Sequence, residues 1–334
     1  MIARERITTG VTRAVLVMSA ILAVSTVVSA QTRVENDPVV ALLRQGKTGE
    51  AEKLAKSSAA RNPKGGQALY GMGRVAMAKQ KIDDAAGWFE KAVAADPRNS
   101  NYHFWLGQAY GEQAQAASKF RQPFLAKKVQ AEFEKARDLD PSNIDPRIGL
   151  IEFYLLAPGF MGGGEDKALS EATEIRKRDP MMGHLAMARV YRRQKKSDLA
   201  EKEYLAARKE FPARSEPHLW LGNFYVGNKQ LQKAFDVFEN QLRGEPDNMA
   251  ALYQIGKIAS MSGQNLDRGL EAISRYLRHT PGDGEPPIAN AHFRLGGIHE
   301  KKGNKEEARK EYREALRLNP ELSEAREALS KLGT

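Results

Sequence analysis

Two histidines near the C-terminal end of the sequence are the first candidates for chemistry. His292 and His299 lie seven residues apart in "NAHFRLGGIHEKKGNKEEAR", and Glu300 follows the second. Residues seven apart share one face of an α-helix. Two imidazoles beside a carboxylate would suit a metal ion, although zinc needs a further protein ligand at fixed geometry. Whether these residues are ligands or packing residues depends on the element that carries them.

The composition limits the available chemistry. The sequence has no cysteine, which excludes disulfides and thiolate metal sites. It contains no nucleophile elbow and no HExxH motif. Its carboxylates lie beside lysines and arginines in helical patterns, as in "NKEEARKEYREALRLNP", which is typical of solvated helix faces. The sequence therefore predicts a protein without catalytic residues, metal or cofactor.

The first 30 residues have the order of a secretory signal peptide. Arg4, Arg6 and Arg13 precede the apolar run "AVLVMSAILAVSTVVSA", which ends in small residues at Ala30. We expect cleavage after Ala30, and therefore a periplasmic or secreted protein. The alternative is an uncleaved inner-membrane anchor facing the periplasm, because this run of 17 residues approaches the length of a membrane span.

The positive charge raises the question of partners. Loss of residues 1–30 removes three basic residues and one acidic residue, which lowers the formal net charge from +10 to +8. An exported protein rarely meets chromosomal DNA, so we do not expect nucleic acid as a partner. Acidic proteins, anionic cell-wall polymers and lipid head groups fit the charge better. We expect membrane contact only if the N-terminal segment is not cleaved.

Prolines recur 32 to 44 residues apart from Pro63 to Pro320. Because proline ends a helix, each one closes a structural unit. Counting back 12, 8 and 5 residues from each proline after the first gives one buried face of a second helix. These sets are Ala85/Phe89/Ala92, Val129/Phe133/Ala136, Ala168/Ala172/Ile175, Ala200/Tyr204/Ala207, Ala234/Phe238/Gln241, Gly269/Ile273/Tyr276 and Ala308/Tyr312/Ala315.

A first helix in each unit carries a matching stripe. These stripes are Leu69/Met72/Gly73/Ala76, His103/Leu106/Gly107/Tyr110, Arg147/Leu150/Ile151/Tyr154, His184/Met187/Ala188/Tyr191, His218/Leu221/Gly222/Tyr225, Leu252/Ile255/Gly256/Ala259 and His292/Leu295/Gly296/His299. The combined pattern resembles the tetratricopeptide repeat family, whose motif is W-x2-L-G-x2-Y, then A-x3-F-x2-A and P. The match extends over residues 66–320, with a weaker unit at 36–63 and a C-terminal capping helix at 322–332.

The resemblance implies an all-α fold, a right-handed α-solenoid of helix-turn-helix repeats, with residues 31–334 forming a single solenoid. It also favours packing over metal binding for the histidines. His103, His184, His218 and His292 occupy the same position in different repeats. Equivalent positions in a solenoid lie in different units, so these side chains cannot converge on one ion.

Two insertions interrupt the repeat. The segment 111–128 holds ten extra residues, which we expect to lengthen both helices around a turn at 118–122. The glycine-rich segment 157–166 predicts an open loop, with Phe160 and Met161 either exposed or packed against a neighbour. Both insertions should project from the same edge of the solenoid, which makes this edge a second candidate for binding. The alternative is tolerated loop variation.

In the family, the first helices line a concave groove. Transferred by position, the groove has an apolar row and a polar row. The apolar row is Tyr70, Phe104, Ile148, Leu185, Leu219, Tyr253 and Phe293. The polar row is Arg74, Gln108, Glu152, Arg189, Asn223, Lys257 and Gly297. A peptide or partner helix could be held by such rows, because burial supplies affinity and polar groups set register. The alternative is that part of the apolar row packs between helices.

These observations lead to two hypotheses about function. The first is an exported, non-catalytic scaffold or adaptor that binds a protein or peptide in its groove, including other envelope proteins. The second is an envelope-associated binding subunit for an anionic cell-wall or surface polymer. The two differ in their salt dependence, because polymer binding through counterion release weakens steeply with ionic strength.

Recognition of a chaperone's C-terminal tail is not predicted, since Tyr70 and Phe104 replace residues that this recognition needs.

Overall fold

The computed structural model describes residues 37–282 and 284–333, and in this part of the chain it contains 17 α-helices and no β-strand. The helices form eight hairpins and one final helix. They are α1 (Pro38–Arg44), α2 (Thr48–Arg61), α3 (Gly66–Ala78), α4 (Ile82–Ala95), α5 (Ser100–Ala116), α6 (Gln122–Leu139), α7 (Asp145–Leu156), α8 (Glu165–Arg178), α9 (Pro180–Arg193), α10 (Ser197–Glu210), α11 (Ser215–Gly227), α12 (Leu231–Gly244), α13 (Met249–Ser262), α14 (Leu266–Tyr276), α15 (Ile288–Lys301), α16 (Lys305–Leu318) and α17 (Ser323–Lys331).

The chain divides into two compact bodies at Ala200, inside α10. We call the described residues up to Ala200 the N-terminal body and those from Glu201 the C-terminal body. Each body is a succession of antiparallel helix hairpins. A single solenoid over residues 31–334 remains a prediction. The segment 1–30 lies outside the described residues, so its cleavage also remains a prediction.

The core of each hairpin consists of the predicted second-helix stripe. Ala85, Phe89 and Ala92 of α4 are all fully buried. The Phe89 ring lies so close to α3 that a Cβ atom on Gly73 would be 2.4 Å from it. A Cβ atom on Gly222 would likewise be 2.2 Å from the Phe238 ring. A glycine in the first helix therefore makes room for an aromatic ring in the second, at the packing density of a protein interior.

Most of the turns within hairpins are short and use one left-handed residue. Gln80, Lys195 and Lys229 have φ values of 58°, 59° and 59°, and Gly46 and Gly303 take the same role with φ values of 70° and 83°. Positive φ is uncommon for residues other than glycine. The repeated turn conformation sets the direction in which each second helix returns along the first.

A triad of tyrosine, glutamate and lysine recurs in three hairpins. A tyrosine near the end of the first helix donates to a glutamate in the second helix of the preceding hairpin, at 2.6 Å from Tyr110 to Glu90. A lysine in the second helix of its own hairpin lies over the tyrosine ring, at 4.4 Å for Lys128. The other triads are Tyr154/Glu134/Lys167 and Tyr225/Glu201/Lys233. Hydrogen bonding and cation–π attraction thus join successive hairpins.

The two insertions have different structures. The expected lengthening around 118–122 is confirmed, because α5 ends at Ala116 and α6 begins at Gln122. The second insertion forms a short 3-10 turn, Gly159–Met161, which packs against α6. Met161 contacts the core of the N-terminal body, whereas Phe160 is 81% exposed. Each of the two predicted environments therefore applies to one of these residues.

Candidate functional site

His184 contacts Arg176 of the preceding hairpin. Two other histidines at the shared repeat position, His103 and His292, pair within their own hairpins. The Nδ1 atom of His103 lies 2.6 Å from a carboxylate oxygen of Glu132, and that of His292 lies 2.6 Å from Glu311. Each glutamate directly precedes the aromatic residue of the second-helix stripe. Burial lowers the pKa of His103, but hydrogen bonds to Glu132 and to the carbonyl of Pro97 more than compensate, so its pKa is raised overall. These histidines join the two helices of one hairpin.

The opening question about His292 and His299 can now be answered from their contacts. His292 is bonded to Glu311, and Nδ1 of His299 is buried without a hydrogen-bond partner in the part of the chain that the structure describes. Among residues 37–282 and 284–333, no group of three or more His, Cys, Asp or Glu side chains is arranged to hold a metal ion. Packing therefore explains the position of His292.

Arg147 stands at the same repeat position as these histidines and makes the same kind of contact. Its guanidinium lies 2.5 Å from Glu171, which also accepts from Arg137 at 2.8 Å. Glu171 and Arg147 are buried, at 7% and 8% exposure. One carboxylate thus bridges two arginines from α6 and α7. A buried charge cluster of this kind is costly to disrupt, because removal of one member leaves the others uncompensated.

The candidate binding surface is the face on which successive first helices lie side by side, which we call the first-helix face. In the N-terminal body, two arginines of this face have partners within the body. Arg74 of α3 lies 3.7 Å from the ring of Trp105 in α5 and donates to the Tyr70 hydroxyl at 2.5 Å. Arg189 of α9 pairs with Glu152 of α7 at 2.9 Å. Gln108, the polar-row residue of α5, is partly exposed.

The predicted apolar row does not form an open surface. Tyr70 is fully buried, with its ring 5.9 Å from Phe89 and 5.3 Å from Tyr102. The other buried members of the row are Phe104, Ile148, Leu185 and Tyr253. The rings of Tyr70, Phe104 and Tyr253 lie against aromatic residues of neighbouring helices, which is the packing that the alternative interpretation of the row predicts. Contact of the row with a partner stays a prediction. Only Leu219 and Phe293 are partly exposed.

In the C-terminal body the first-helix face carries two cations, Lys257 and Arg294, that form no ion pair with a described residue. Burial, together with the nearby charge of Arg294, lowers the pKa of Lys257. Within the described residues, no carboxylate lies at ion-pair distance from Lys257 or Arg294. The Arg294 guanidinium lies 4.7 Å from the Phe293 ring, and its Nε atom is buried without a hydrogen-bond partner in the same described part. Asn223 is exposed and Gly297 is partly exposed.

Sequence reasoning missed two residues of this face. Trp105 directly follows Phe104, and Arg294 directly follows Phe293, one position beyond the predicted apolar row in each case. Both side chains contact neighbours on the first-helix face. The face is therefore wider than the two rows. The sequence signal that could have identified them is an aromatic or cationic residue directly after a residue of the apolar row.

The repeat is also recognised by comparison with known families. One tetratricopeptide repeat model matches residues 39–100, 72–122 and 185–248, and a second matches residues 289–322. Together these matches cover more than half of the chain. The chain belongs to the tetratricopeptide repeat family. The predicted all-α solenoid fold is confirmed, whereas its right-handed sense remains a prediction.

Solved tetratricopeptide repeat structures have the same fold. Yeast Tom70 superimposes with a TM-score of 0.62 at 15% identity, over 86% of this chain and 58% of that chain. The human IFIT1 dimer with m7Gppp-AAAA gives a TM-score of 0.52 at 18% identity, over 88% of this chain and 71% of that chain. At these identities the likeness shows the fold alone. No curated protein shows significant similarity to the chain.

Tetratricopeptide repeats serve as scaffolds for protein–protein interaction. On this tetratricopeptide repeat protein, Lys257 and Arg294 of the C-terminal body are cations of the first-helix face that form no ion pair with a described residue. None of the helices that the structure describes is long and apolar enough to cross a membrane.

Proposed function

We propose that this tetratricopeptide repeat protein is an exported, non-catalytic scaffold that binds an acidic segment of a protein or peptide partner. The site is the first-helix face of the C-terminal body. The observation that carries the proposal is the pair of cations Lys257 and Arg294, which form no ion pair with a carboxylate in the described structure. The Arg294 guanidinium also lies 4.7 Å from the partly exposed Phe293 ring.

The physical argument rests on charge compensation. A partly buried lysine next to a second cation is unfavourable, and the lowered pKa of Lys257 reflects this. A carboxylate from a partner would compensate both charges and form charge-assisted hydrogen bonds. The Phe293 ring supplies an apolar contact, and the amide of Asn223 supplies a donor and an acceptor. The site thus offers the mixture of apolar and polar groups that an extended peptide requires.

An anionic polymer is the alternative ligand, and the charge of +8 expected for residues 31–334 supports it. Salt dependence separates the two ligands. Polymer binding releases many counterions, so its affinity should fall steeply as salt is added. A single peptide carboxylate held beside Phe293 should give a shallow dependence.

The proposed function is tested by selecting peptides from a random display library on the purified protein. We expect enrichment of peptides with an acidic residue or a free C-terminal carboxylate near an apolar side chain. Their affinity should fall about tenfold or more in the Lys257→Ala/Arg294→Ala variant. The Lys310→Ala variant, altered at an exposed position of α16, is the matched control. Failure to select any peptide, or equal affinity of the double variant, would contradict the proposal.

Export is tested separately by measuring the intact mass of the protein from the cell envelope. We expect a chain that begins at Gln31. A mass that includes residues 1–30 would instead support the alternative of an inner-membrane anchor.

A further inference from the structure

The connection between α5 and α6 and the first turn of α6 present two phenylalanines to solvent. Phe120 is 96% exposed and Phe124 is 63% exposed. We call residues 117–128, "ASKFRQPFLAKK", the basic-aromatic segment. Large exposed aromatic side chains grouped in one short segment are unusual on a soluble protein, and such patches mark contact sites.

Cations surround these rings. Lys119, Arg121 and Lys127 are exposed, and none of them forms an ion pair with any residue in 37–282 or 284–333. Lys128 lies 3.9 Å from Glu90. No acidic residue occurs between Glu112 and Glu132. The segment therefore combines exposed aromatic rings with a local excess of positive charge.

The segment has a defined conformation. The backbone N–H of Arg121 donates to the carbonyl of Ser118 at 2.9 Å, and the Gln122 side chain donates to the carbonyl of Ala117 at 3.2 Å. These bonds form a turn from which Phe120 projects. The Lys128 ammonium lies 5.2 Å from the Phe124 ring and 4.4 Å from the Tyr110 ring. Phe124 is thus held near the turn, so little ordering is needed on binding.

We propose that the basic-aromatic segment docks the protein on the surface of a lipid bilayer that contains anionic lipids. Aromatic side chains partition into the interface between head groups and acyl chains, while neighbouring lysines and arginines bind lipid phosphates. The long basic side chains can reach upward to the head groups while the rings insert. The site lies in the N-terminal body and does not depend on the proposed peptide site.

Two features favour a bilayer over an acidic protein. A stable protein interface buries about 800 Å² on each partner around a packed centre. Here Phe120 is almost fully exposed, so it stands clear of its neighbours and forms no pocket for a partner's side chain. A soft interface can surround such a ring on all sides. The run of cations without acids matches an anionic surface of extended area better than a single acidic side chain.

The neighbouring insertion adds a further exposed ring without extending the basic charge. The turn that carries Phe160 packs near Gln130, about 9 Å along α6 from Phe124. Glu165 and Asp166 follow this turn at the start of α8. We therefore assign lipid binding to residues 117–128, with Phe160 outside the minimal site.

The test is partition of the full chain between buffer and vesicles, measured by flotation. Vesicles contain either phosphatidylcholine alone or phosphatidylcholine with 30% phosphatidylglycerol, and the readout is the ratio of the two partition coefficients. A retained N-terminal segment, with Arg4, Arg6 and Arg13, would itself favour anionic vesicles, but to the same extent in every variant, so the comparison between variants decides. We expect a ratio well above one for the unaltered protein.

Three variants distinguish the contributions. Lys119→Gln/Arg121→Gln/Lys127→Gln should lower binding to phosphatidylglycerol vesicles about 100-fold, at about fivefold for each cation. Phe120→Ser/Phe124→Ser should lower it about tenfold or more. The matched control, Lys64→Gln/Lys209→Gln/Lys310→Gln, removes three exposed charges elsewhere and should leave binding within a few-fold. Circular dichroism checks that every variant is folded.

Several outcomes would overturn the proposal. One is a ratio near one for the unaltered protein, and another is an equal loss in the control, which would indicate attraction by net charge alone. Full binding by the Phe120→Ser/Phe124→Ser variant would exclude insertion of the rings. A photo-crosslinker at position 120 in cells should yield lipid adducts. Adducts with one acidic protein and none with lipid would replace the bilayer with a protein partner.

Discussion

The first-helix faces of the two bodies differ in how their charges are paired. In the N-terminal body, Arg189 pairs with Glu152, and Arg74 lies over Trp105. In the C-terminal body, Lys257 and Arg294 share a partly buried environment, and no described carboxylate is within ion-pair distance of them. A face that satisfies its own charges contributes to the stability of the fold. A face that leaves charges unsatisfied is less stable alone and is ready to accept an anion.

The largest effect is expected from breaking the internal pairing of the N-terminal body. Glu171→Ala removes the carboxylate that bridges Arg137 and Arg147. We expect the free energy of unfolding to fall by about 3–5 kcal/mol, because the buried Arg147 loses its carboxylate, whereas Arg137 keeps its ion pair with Asp138. Urea denaturation measures this. The control is Glu174→Ala on the same helix, which removes a partly exposed carboxylate from surface pairs with Lys177 and Arg178 and should change stability little. Equal stability of Glu171→Ala would mean that the pairing is not structural.

A second pair of variants sharpens the contrast between the bodies. Lys257→Met removes a partly buried charge that has no carboxylate beside it. We expect the free energy of unfolding to rise by about 0.5–1 kcal/mol while peptide binding weakens. Arg189→Met removes a paired charge at the equivalent position of the N-terminal body and should lower stability by up to about 1 kcal/mol. Thermal and urea unfolding measure whether each substitution raises or lowers the free energy of unfolding. A change in the same direction for both variants would contradict the proposed difference between the two bodies.

A third variant should make the N-terminal face resemble the C-terminal one. Glu152→Gln leaves Arg189 without its carboxylate. We expect a photo-crosslinker at Gln108 to capture an acidic peptide about two- to fivefold more efficiently than in the unaltered protein. In the Glu152→Gln/Arg189→Gln double variant, the crosslinking yield at Gln108 should return to that of the unaltered protein. If Glu152→Gln gives no gain, the unpaired charge is not what makes the face bind.

The smallest effect concerns pH. The pKa of His103 is raised in the folded protein above its ordinary value of 6.5. The contact with Glu132 therefore contributes fully below pH 6.5 and is lost as the pH rises through the raised value. We expect the free energy of unfolding to fall by less than about 1 kcal/mol between pH 6 and pH 9 from this residue. His103→Gln should flatten that part of the pH profile, and an unchanged slope would contradict the assignment.

The repeat spacing was sufficient to predict the second-helix stripes. Phe89 and Phe238 are buried where the count from the prolines places them. The repeat spacing was not sufficient to predict the environment of the apolar row. Spacing along the sequence does not show which side of a first helix is covered by the next hairpin. Tyr70 is therefore buried where exposure was expected. Whether Lys257 forms an ion pair depends on the side chains that surround it in the folded structure. The repeat spacing alone therefore could not predict that no carboxylate lies close enough to pair with it.

The tyrosine, glutamate and lysine triads have a consequence for motion. Tyr225 and Glu201 join α11 to α10, but Ala259 and His299 occupy the tyrosine position in α13 and α15 and have no phenol to donate. In repeat proteins, each hairpin is held mainly by its immediate neighbours. Backbone amides of α13 to α16 should therefore exchange with deuterium sooner than those of α11 and α12. If the proposed peptide binds at Lys257 and Arg294, we expect it to slow this exchange.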